Sequence, residues 1–292
     1  MNKFRLPKCD TLQAKSAGRK CVLCCCAFVL FISCGENPSY TSPQGYDFSN
    51  PEKRILSDNL LEISGITFLP NIQDSILAVN DEEGKIFLVP LKKAKARTFK
   101  FSKSGDYEDI AVYQQSIFVL QSNGKIFSFD KQLSGEKMQS KEWELNLPSG
   151  DYESIFADER EDRFYVLCKT CKKIQGDSVL GFSFSFQYDS AFTSFEPFAI
   201  RQDTSKFWPK KRFMPSALAK NRMNDEWFII SAANKLLMIT DNTWKIKDVY
   251  RLDPGVFYHP EGIAFDENSN LYISNEGDES HNANILKFER IP

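Results

Sequence analysis

Five short segments of the chain share one pattern, a small or acidic residue followed two positions later by an aliphatic one. They are Ile63-Ser64-Gly65-Ile66, Tyr107-Glu108-Asp109-Ile110, Tyr152-Glu153-Ser154-Ile155, Pro215-Ser216-Ala217-Leu218 and Pro260-Glu261-Gly262-Ile263. Carboxylates at three of these positions, Glu108, Glu153 and Glu261, would repel one another if brought around one axis, unless protonated or bridged by a cation. Hard oxygen ligands of this kind suit calcium or magnesium, and calcium is the ion expected here. Asn80, Asp81, Asn275 and Glu276 follow at turn positions of the repeats and are expected at the same rim as further ligands. The same acids could instead bond backbone amides of a neighbouring repeat and only organise the assembly. The serines at positions 64 and 216 make the set asymmetric, which favours a site over pure scaffolding.

His259 directly precedes Pro260-Glu261 and is a candidate for proton transfer at such a site. With an ion held by Glu261 or Glu153, it would support a metal-dependent hydrolase acting on a lactone or a phosphoester. Nucleophilic catalysis has little support, since there is no Gly-x-Ser-x-Gly elbow. The other histidine, His281, sits in a polar loop and reads as solvated. No catalytic residue is assigned, and the absence of a convincing base turns the reading toward binding. Cys168-Lys169-Thr170-Cys171 has redox or half-zinc spacing but no second Cys/His pair beside it. A local disulfide and a pair of inert thiols are both compatible with that spacing.

The repeated positions lie 44, 45, 63 and 45 residues apart. Four-stranded propeller blades repeat at ~40–45 residues. The expected fold is therefore all-β, a propeller of five four-stranded blades, with the one long interval an insertion in a single blade. Six blades would require splitting that interval, which holds too few strands. The first repeat parses as strands at Ile66–Leu69, Ser75–Val79, Lys85–Leu91 and Arg97–Phe101, and the second as Ile110–Tyr113, Ser116–Gln121 and Lys125–Phe129 after a Ser122-Asn123-Gly124 turn. An Asn-Gly turn between alternating strands is a strong hairpin signal. The last repeat, with strands at Ile263–Phe265, Asn270–Ser274 and Asn284–Phe288, lacks a fourth strand, which Lys53–Leu56 can supply to close the ring. Closure of that kind removes exposed sheet edges. In such a ring the repeated position opens the innermost strand, so the acids should surround the channel mouth.

Ahead of the repeats, residues 1–20 carry six basic residues against one acid, and an uninterrupted apolar run follows from Cys21 to Ile32. Twelve residues at ~1.5 Å each fall short of a ~30 Å hydrocarbon core, so the segment reads as a secretory signal over 1–33. The run ends Leu30-Phe31-Ile32-Ser33-Cys34-Gly35, which resembles a bacterial lipobox with Cys34 as the lipidated residue. Without residues 1–33 the chain has 31 Lys and Arg against 38 Asp and Glu, a net charge of -7. That sign does not draw it to anionic lipid, so the lipid itself must hold it at a membrane. Gly35 lacks the aspartate that retains lipoproteins at the inner membrane in enteric bacteria, which points to the outer membrane. Residues 34–51, rich in Gly, Asn, Pro, Ser and Tyr, are expected to form a flexible tether before a single propeller domain over 52–292. The balance of charge excludes a basic nucleic-acid footprint. Lys206-Phe207-Trp208-Pro209-Lys210-Lys211-Arg212-Phe213 mixes basic and aromatic residues, and is read as packing over a propeller face or meeting an anionic glycan or partner. Alternating Phe182, Phe184 and Phe186 mark one buried sheet face.

Taken in order, Glu62-Ile63-Ser64-Gly65-Ile66, Asn80-Asp81-Glu82, Gly105-Asp106-Tyr107-Glu108-Asp109-Ile110, Gln121-Ser122-Asn123-Gly124, Pro260-Glu261-Gly262-Ile263 and Ile273-Ser274-Asn275-Glu276-Gly277 resemble the SdiA-regulated family of exported bacterial proteins. The resemblance runs from about Leu61 to Phe288 and implies a β-propeller, membrane-attached or lipid-anchored, with no established reaction. The expected function is a lipid-anchored cell-envelope binding or scaffold module with a calcium in the channel, the alternative being the metal-dependent hydrolase. Its partners would be the membrane and a protein or small-molecule ligand.

Overall fold

The computed structural model describes residues 39–92, 94–171, 178–187, 191–201 and 212–292. The proposed signal segment, Cys34, and the Lys206–Lys211 part of the basic aromatic stretch lie outside them. Among the described residues no helix is long and apolar enough to cross a membrane.

Five four-stranded antiparallel sheets form the blades. Blade 1 is β2 (Ile63–Leu69), β3 (Ile72–Asn80), β4 (Lys85–Pro90) and β5 (Arg97–Lys100). Blade 2 is β6 (Tyr107–Tyr113), β7 (Ser116–Gln121), β8 (Lys125–Asp130) and β9 (Lys141–Glu144). Blade 3 has longer strands, β10 (Gly150–Asp158), β11 (Arg163–Cys171), β12 (Val179–Gln187) and β13 (Ala191–Ile200), and so absorbs the long repeat interval. Blade 4 is β14 (Ala217–Asn221), β15 (Glu226–Ser231), β16 (Leu236–Thr240) and β17 (Ile246–Arg251). Blade 5 is β18 (Pro260–Phe265), β19 (Leu271–Asn275) and β20 (Asn284–Phe288), completed by β1 (Glu52–Ile55) from the start of the domain. Glu52 pairs with Lys287 and Ile55 with Asn284, so strands from the two ends of the chain close the ring. The innermost strands β2, β6, β10, β14 and β18 meet one another in cyclic order.

Burial explains the strand sequences. Second strands such as β7, Ser-Ile-Phe-Val-Leu-Gln, are covered on both faces by neighbouring blades and read as continuous apolar runs. Outer strands face water, and β9 (Lys-Glu-Trp-Glu) and β1 (Glu-Lys-Arg-Ile) are mostly charged and exposed, which guards their free edges. The core is five apolar wedges between adjacent blades. One joins Ile110 and Tyr107 of blade 2 to Leu77 and Val79 of blade 1, and another joins Ile263 and Ile273 of blade 5 to Phe228 and Ile230 of blade 4. The Phe182, Phe184 and Phe186 face is buried as expected, against Phe118 and Phe164.

The expected tether is free over less of its length than its composition suggests. Tyr46 and Phe48 are buried in the wedge between blades 4 and 5. The Tyr46 hydroxyl donates to the Ser269 carbonyl at 2.8 Å and accepts from Asn221 Nδ2 at 3.1 Å, while the Phe48 ring packs on Phe257 and Phe288. Two aromatic rings outweigh the flexible Gly, Ser and Pro around them, because burying such a ring contributes roughly 1.5–3 kcal/mol.

At the axis, inner strands approach closely enough to forbid a side chain at some positions. A Cβ on Gly65 would lie 2.0 Å from Asp109 Oδ1 and 2.5 Å from Asp109 Cα, a backbone atom that cannot swing away. Gly65→Ala should therefore overpack the junction of blades 1 and 2 and cost about 1–3 kcal/mol. A thermal melt checks this, and an unchanged melting temperature would mean that the inner strands have room to separate.

Candidate functional site: an acidic channel mouth

Each inner strand enters its blade through a break in register. The ladder jumps between Tyr107 and Asp109 in β6, between Tyr152 and Ser154 in β10, between Pro260 and Gly262 in β18, and between Ile63 and Ile66 in β2. The residues left out of the ladder are Glu108, Glu153, Glu261 and, with Gly65, Ser64. A bulge re-aims the unpaired residue, and all four line a cavity of about 370 Å³ at one end of the channel. Blade 4 differs: β14 begins only at Ala217, and the Ser216 hydroxyl is consumed between blades, donating to the Pro260 carbonyl at 2.9 Å and accepting from the Ala232 amide at 3.2 Å.

Eight carboxylates line this cavity, those of Glu62, Asp81, Asp106, Glu108, Asp151, Glu153, Glu261 and Glu276, with Lys169 and His259 the basic groups among them. Among them are three trios whose potential ligand atoms lie within 4.8 Å of one another: Glu62, Asp81 and Glu276; His259, Glu261 and Glu276, which shares Glu276 with the first; and, separate from both, Glu108, Asp151 and Glu153. His259 Nε2 is 3.3 Å from Glu261 Oε1, and its Nδ1 contacts Glu276. Lys169 Nζ meets Glu153 Oε1 at 2.9 Å. Asp81 Oδ1 is a buried oxygen with no hydrogen-bond donor. Lys169 is set by the disulfide of Cys168 and Cys171, whose Cα atoms are 6.0 Å apart, so the spacing that left disulfide and thiols open resolves to a disulfide.

Burial raises five of these acids, and repulsion from neighbouring carboxylates is the next cause at Glu62, Asp81 and Glu108. Glu62, beside Asp81 and Glu276, is pushed up to about 7 and Asp81 to about 6. Glu108 moves furthest, to about 10, buried and facing Glu153. Burial lifts Glu153 to about 7 although Lys169 opposes it. Glu261 rises through burial against the pull of His259, and the hydrogen bond to Glu276 raises His259. Burial thus favours the protonated form of these five carboxylates, with Lys169 and His259 opposing it at Glu153 and Glu261.

Residues 41–279 match the family model described as SdiA-regulated. The chain belongs to the SdiA-regulated family. No curated protein matches it as a relative. Among solved structures, the glutaminyl cyclase of Myxococcus xanthus is similar at 10% identity, with 83% of this chain and 98% of that one covered and a TM-score of 0.52. A luciferin-regenerating enzyme is similar at 9% identity over 82% of this chain and 95% of that one, with a TM-score of 0.51. At such identities the likeness concerns the fold alone.

Within this SdiA-regulated propeller, the residues expected at the mouth divide by strand position. Glu108, Glu153, Glu261, Asp81, Glu276 and His259 come together there. Asn80 and Asn275 do not. Asn80 Oδ1 caps its own turn by accepting from the Glu83 amide at 3.0 Å, and Asn275 Nδ2 donates to the Val256 carbonyl at 3.0 Å and to Asn284 Oδ1 at 3.1 Å. Adjacent residues at a strand end point to opposite sides, so only the following residue of each pair, Asp81 or Glu276, reaches the cavity. The sequence reading missed Glu62, Asp106 and Asp151 and gave Lys169 no place at the mouth. A signal was present: Glu62, Asp106, Asp151 and His259 each stand two positions before the repeated residue, a second ring with the same period.

The structural role proposed for the repeated acids belongs to their neighbour. Asp109 is buried, and its carboxylate accepts from the Ile110 amide and, across the blade boundary, from the Ile155 amide, both at 2.8 Å. Burial nevertheless keeps its pKa well above the ordinary value.

An acid whose pKa is raised by folding binds more protons folded than unfolded, so its contribution to stability is complete below the unfolded value and lost as pH rises through the folded one. For Glu62, Asp81 and Glu153 that window runs from about 4 to about 7. In EDTA the melting temperature should fall across this range, and fall less in Glu62→Gln/Glu153→Gln. A wild-type profile parallel to that of the double variant would contradict the assignment.

Proposed function

We propose that this protein is a lipid-anchored cell-envelope β-propeller that works as a binding module, its acidic channel mouth holding a divalent cation, with calcium the first candidate. The observation that carries the reading is the convergence of eight carboxylates on one cavity with a single lysine and a single histidine among them. A blade-packing role would tie these acids to backbone amides, yet Asp109 and Ser216 do that work instead. Hard oxygen donors on several strands, one of them the partnerless Asp81 Oδ1, are the chemistry that calcium takes. A bound ion would also remove the repulsion that drives protons onto the acids.

Binding is favoured over hydrolysis by the setting of His259. Both of its ring nitrogens face carboxylates, and these favour the protonated ring, which is a poor base for activating water. The anchor in this reading is lipid on Cys34 after removal of residues 1–33, with the outer membrane as destination; a protein or small molecule would be the partner met by the loaded mouth.

Calcium at 100 times its dissociation constant should add roughly 2.7 kcal/mol to the stability of metal-free protein. For a domain of this size that is roughly 5–11 °C in melting temperature. The Glu108→Gln/Glu153→Gln/Glu261→Gln variant should show no such shift. An equal response of both proteins, or none together with no copurifying metal, would remove the cation from the proposal. Anchoring is tested separately: Cys34→Ser should move the protein from the membrane fraction to the soluble fraction, and an unchanged distribution would count against lipidation there.

A further inference from the structure

The mouth carries enough carboxylates for more than one divalent ion, and its charges are not spread evenly. Where the second strands end, Ile63 pairs with Asn80, Tyr152 with Cys168 and Pro260 with Asn275. The residues that follow, Asp81, Lys169 and Glu276, therefore stand at equivalent places in blades 1, 3 and 5. Blade 3 puts a cation where the other two put acids. Lys169 Nζ meets Glu153 Oε1 at 2.9 Å, and Glu153 belongs to the trio with Glu108 and Asp151. That trio is already occupied by an ammonium group of the chain itself.

Two features of blade 3 hold Lys169 there. Strand β11 leaves it out of the ladder, since Asp151 pairs with Thr170 and Tyr152 with Cys168, and β10 in turn leaves out Glu153. The two unpaired residues are the ones that form the ion pair. The bridge between Cys168 and Cys171 then closes covalently around Lys169 and Thr170, and both cysteines are buried. On β10 the bridge packs against Gly150, where a Cβ would lie 2.5 Å from Cys171 Sγ and 2.8 Å from Cys168 Sγ. Asp151 follows Gly150, so one clamp fixes the ammonium and abuts the start of the trio it neutralises.

The side formed by blades 1 and 5 is different. Glu62, Asp81, Glu261 and Glu276 are linked there through Glu276, and their basic neighbour is His259. An imidazole can offer an ion a lone pair, whereas an ammonium has none. Oxygens without partners are found on this side. Asp81 Oδ1 is buried with no donor, and Ser64, 6% exposed, lines the cavity with a hydroxyl that bonds no group among the described residues.

We propose that Lys169 determines how many ions the mouth takes: it fills the Glu108, Asp151 and Glu153 trio as a tethered cation and leaves the linked acids of blades 1 and 5 to a single divalent ion, with Glu261 among its ligands. This rests on the cation reading above. The Cys168–Cys171 bridge is the positioning element, because it holds in one place the root of a flexible four-carbon stem.

The test titrates calcium into metal-free full-length protein by calorimetry, with equilibrium dialysis to count the ions bound. One ion is expected in wild type and in Lys169→Arg, and two in Lys169→Met. Adding Glu108→Gln to Lys169→Met should return the count to one, and Asp81→Asn should remove the ion of wild type. Cys168→Ser/Cys171→Ser should admit a second ion, bound more weakly than in Lys169→Met. Two ions in wild type, or one in both wild type and Lys169→Met, would overturn the inference and leave the cation reading standing. No ion in either would remove both. An ion in Lys169→Met alone would support exclusion by Lys169 and withdraw the resident ion. A single ion in the cysteine variant would overturn the part given to the bridge. Lys169→Met keeps the bridge, and decides the role of Lys169 even if the cysteine variant does not fold.

Discussion

Five inner strands converge on one axis, and the axis has no room for five ordinary side chains in a single layer. The layer just inside the mouth is Gly65, Asp109, Ser154, Ala217 and Gly262: four small residues and one carboxylate. A Cβ on Gly262 would meet the Ser64 carbonyl at 2.5 Å, much as one on Gly65 would strike Asp109. The carboxylate occupies space the glycine leaves and binds the Ile155 amide of the next blade. One large group can be accepted there only because its neighbours are small. Everything else along the channel is placed relative to this layer: the acids one residue before it, the aliphatic residues one residue after it.

The bulges follow from that crowding. Strands that cross so near the axis leave a residue out of register as they enter, and the unpaired residue turns to the mouth. Concentrating carboxylates there costs stability, as their raised pKa values express. The cost is offset by the five apolar wedges between blades, in which second strands are buried on both faces. The fold therefore does not need the mouth to be acidic. Blade 1 makes the same bulge with Ser64 and no carboxylate, so the junction and the charge are separable. Acids retained where a serine would serve the architecture are better explained by what the mouth holds than by how the ring closes.

Much of this was legible in the sequence because its signals are local and periodic. The spacing of the Ser64, Glu108, Glu153, Ser216 and Glu261 positions gave the number of blades, and the missing fourth strand of the last repeat pointed to β1. Side-chain direction at strand ends was harder. Asn80 and Asp81 are adjacent in the chain, yet one caps a turn and the other faces the cavity, and only the observed pairing of Ile63 with Asn80 decides between them. Composition misjudged Tyr46 and Phe48 for a related reason: a loop rich in Gly, Ser and Pro becomes a strap when two of its rings find a wedge, and the wedge belongs to residues some two hundred positions away. The cavity at the far end of the channel was invisible because Ile66, Ile110, Ile155, Leu218 and Ile263 in its lining repeat as core, and core spacing alone does not tell a filled axis from an open one.

The Asp109 layer also makes the ends of the channel chemically independent. Ahead of it the lining residues are mainly carboxylates; beyond it the lining mixes apolar side chains with Arg160, Lys220, Arg222, Glu159, Asp266 and Glu267. The strap sits at the end away from the acids, since Tyr46 bonds the carbonyl of Ser269, a residue of the cavity there. The ring therefore has a direction, and that direction follows from which residues precede the crowded layer and which come after it.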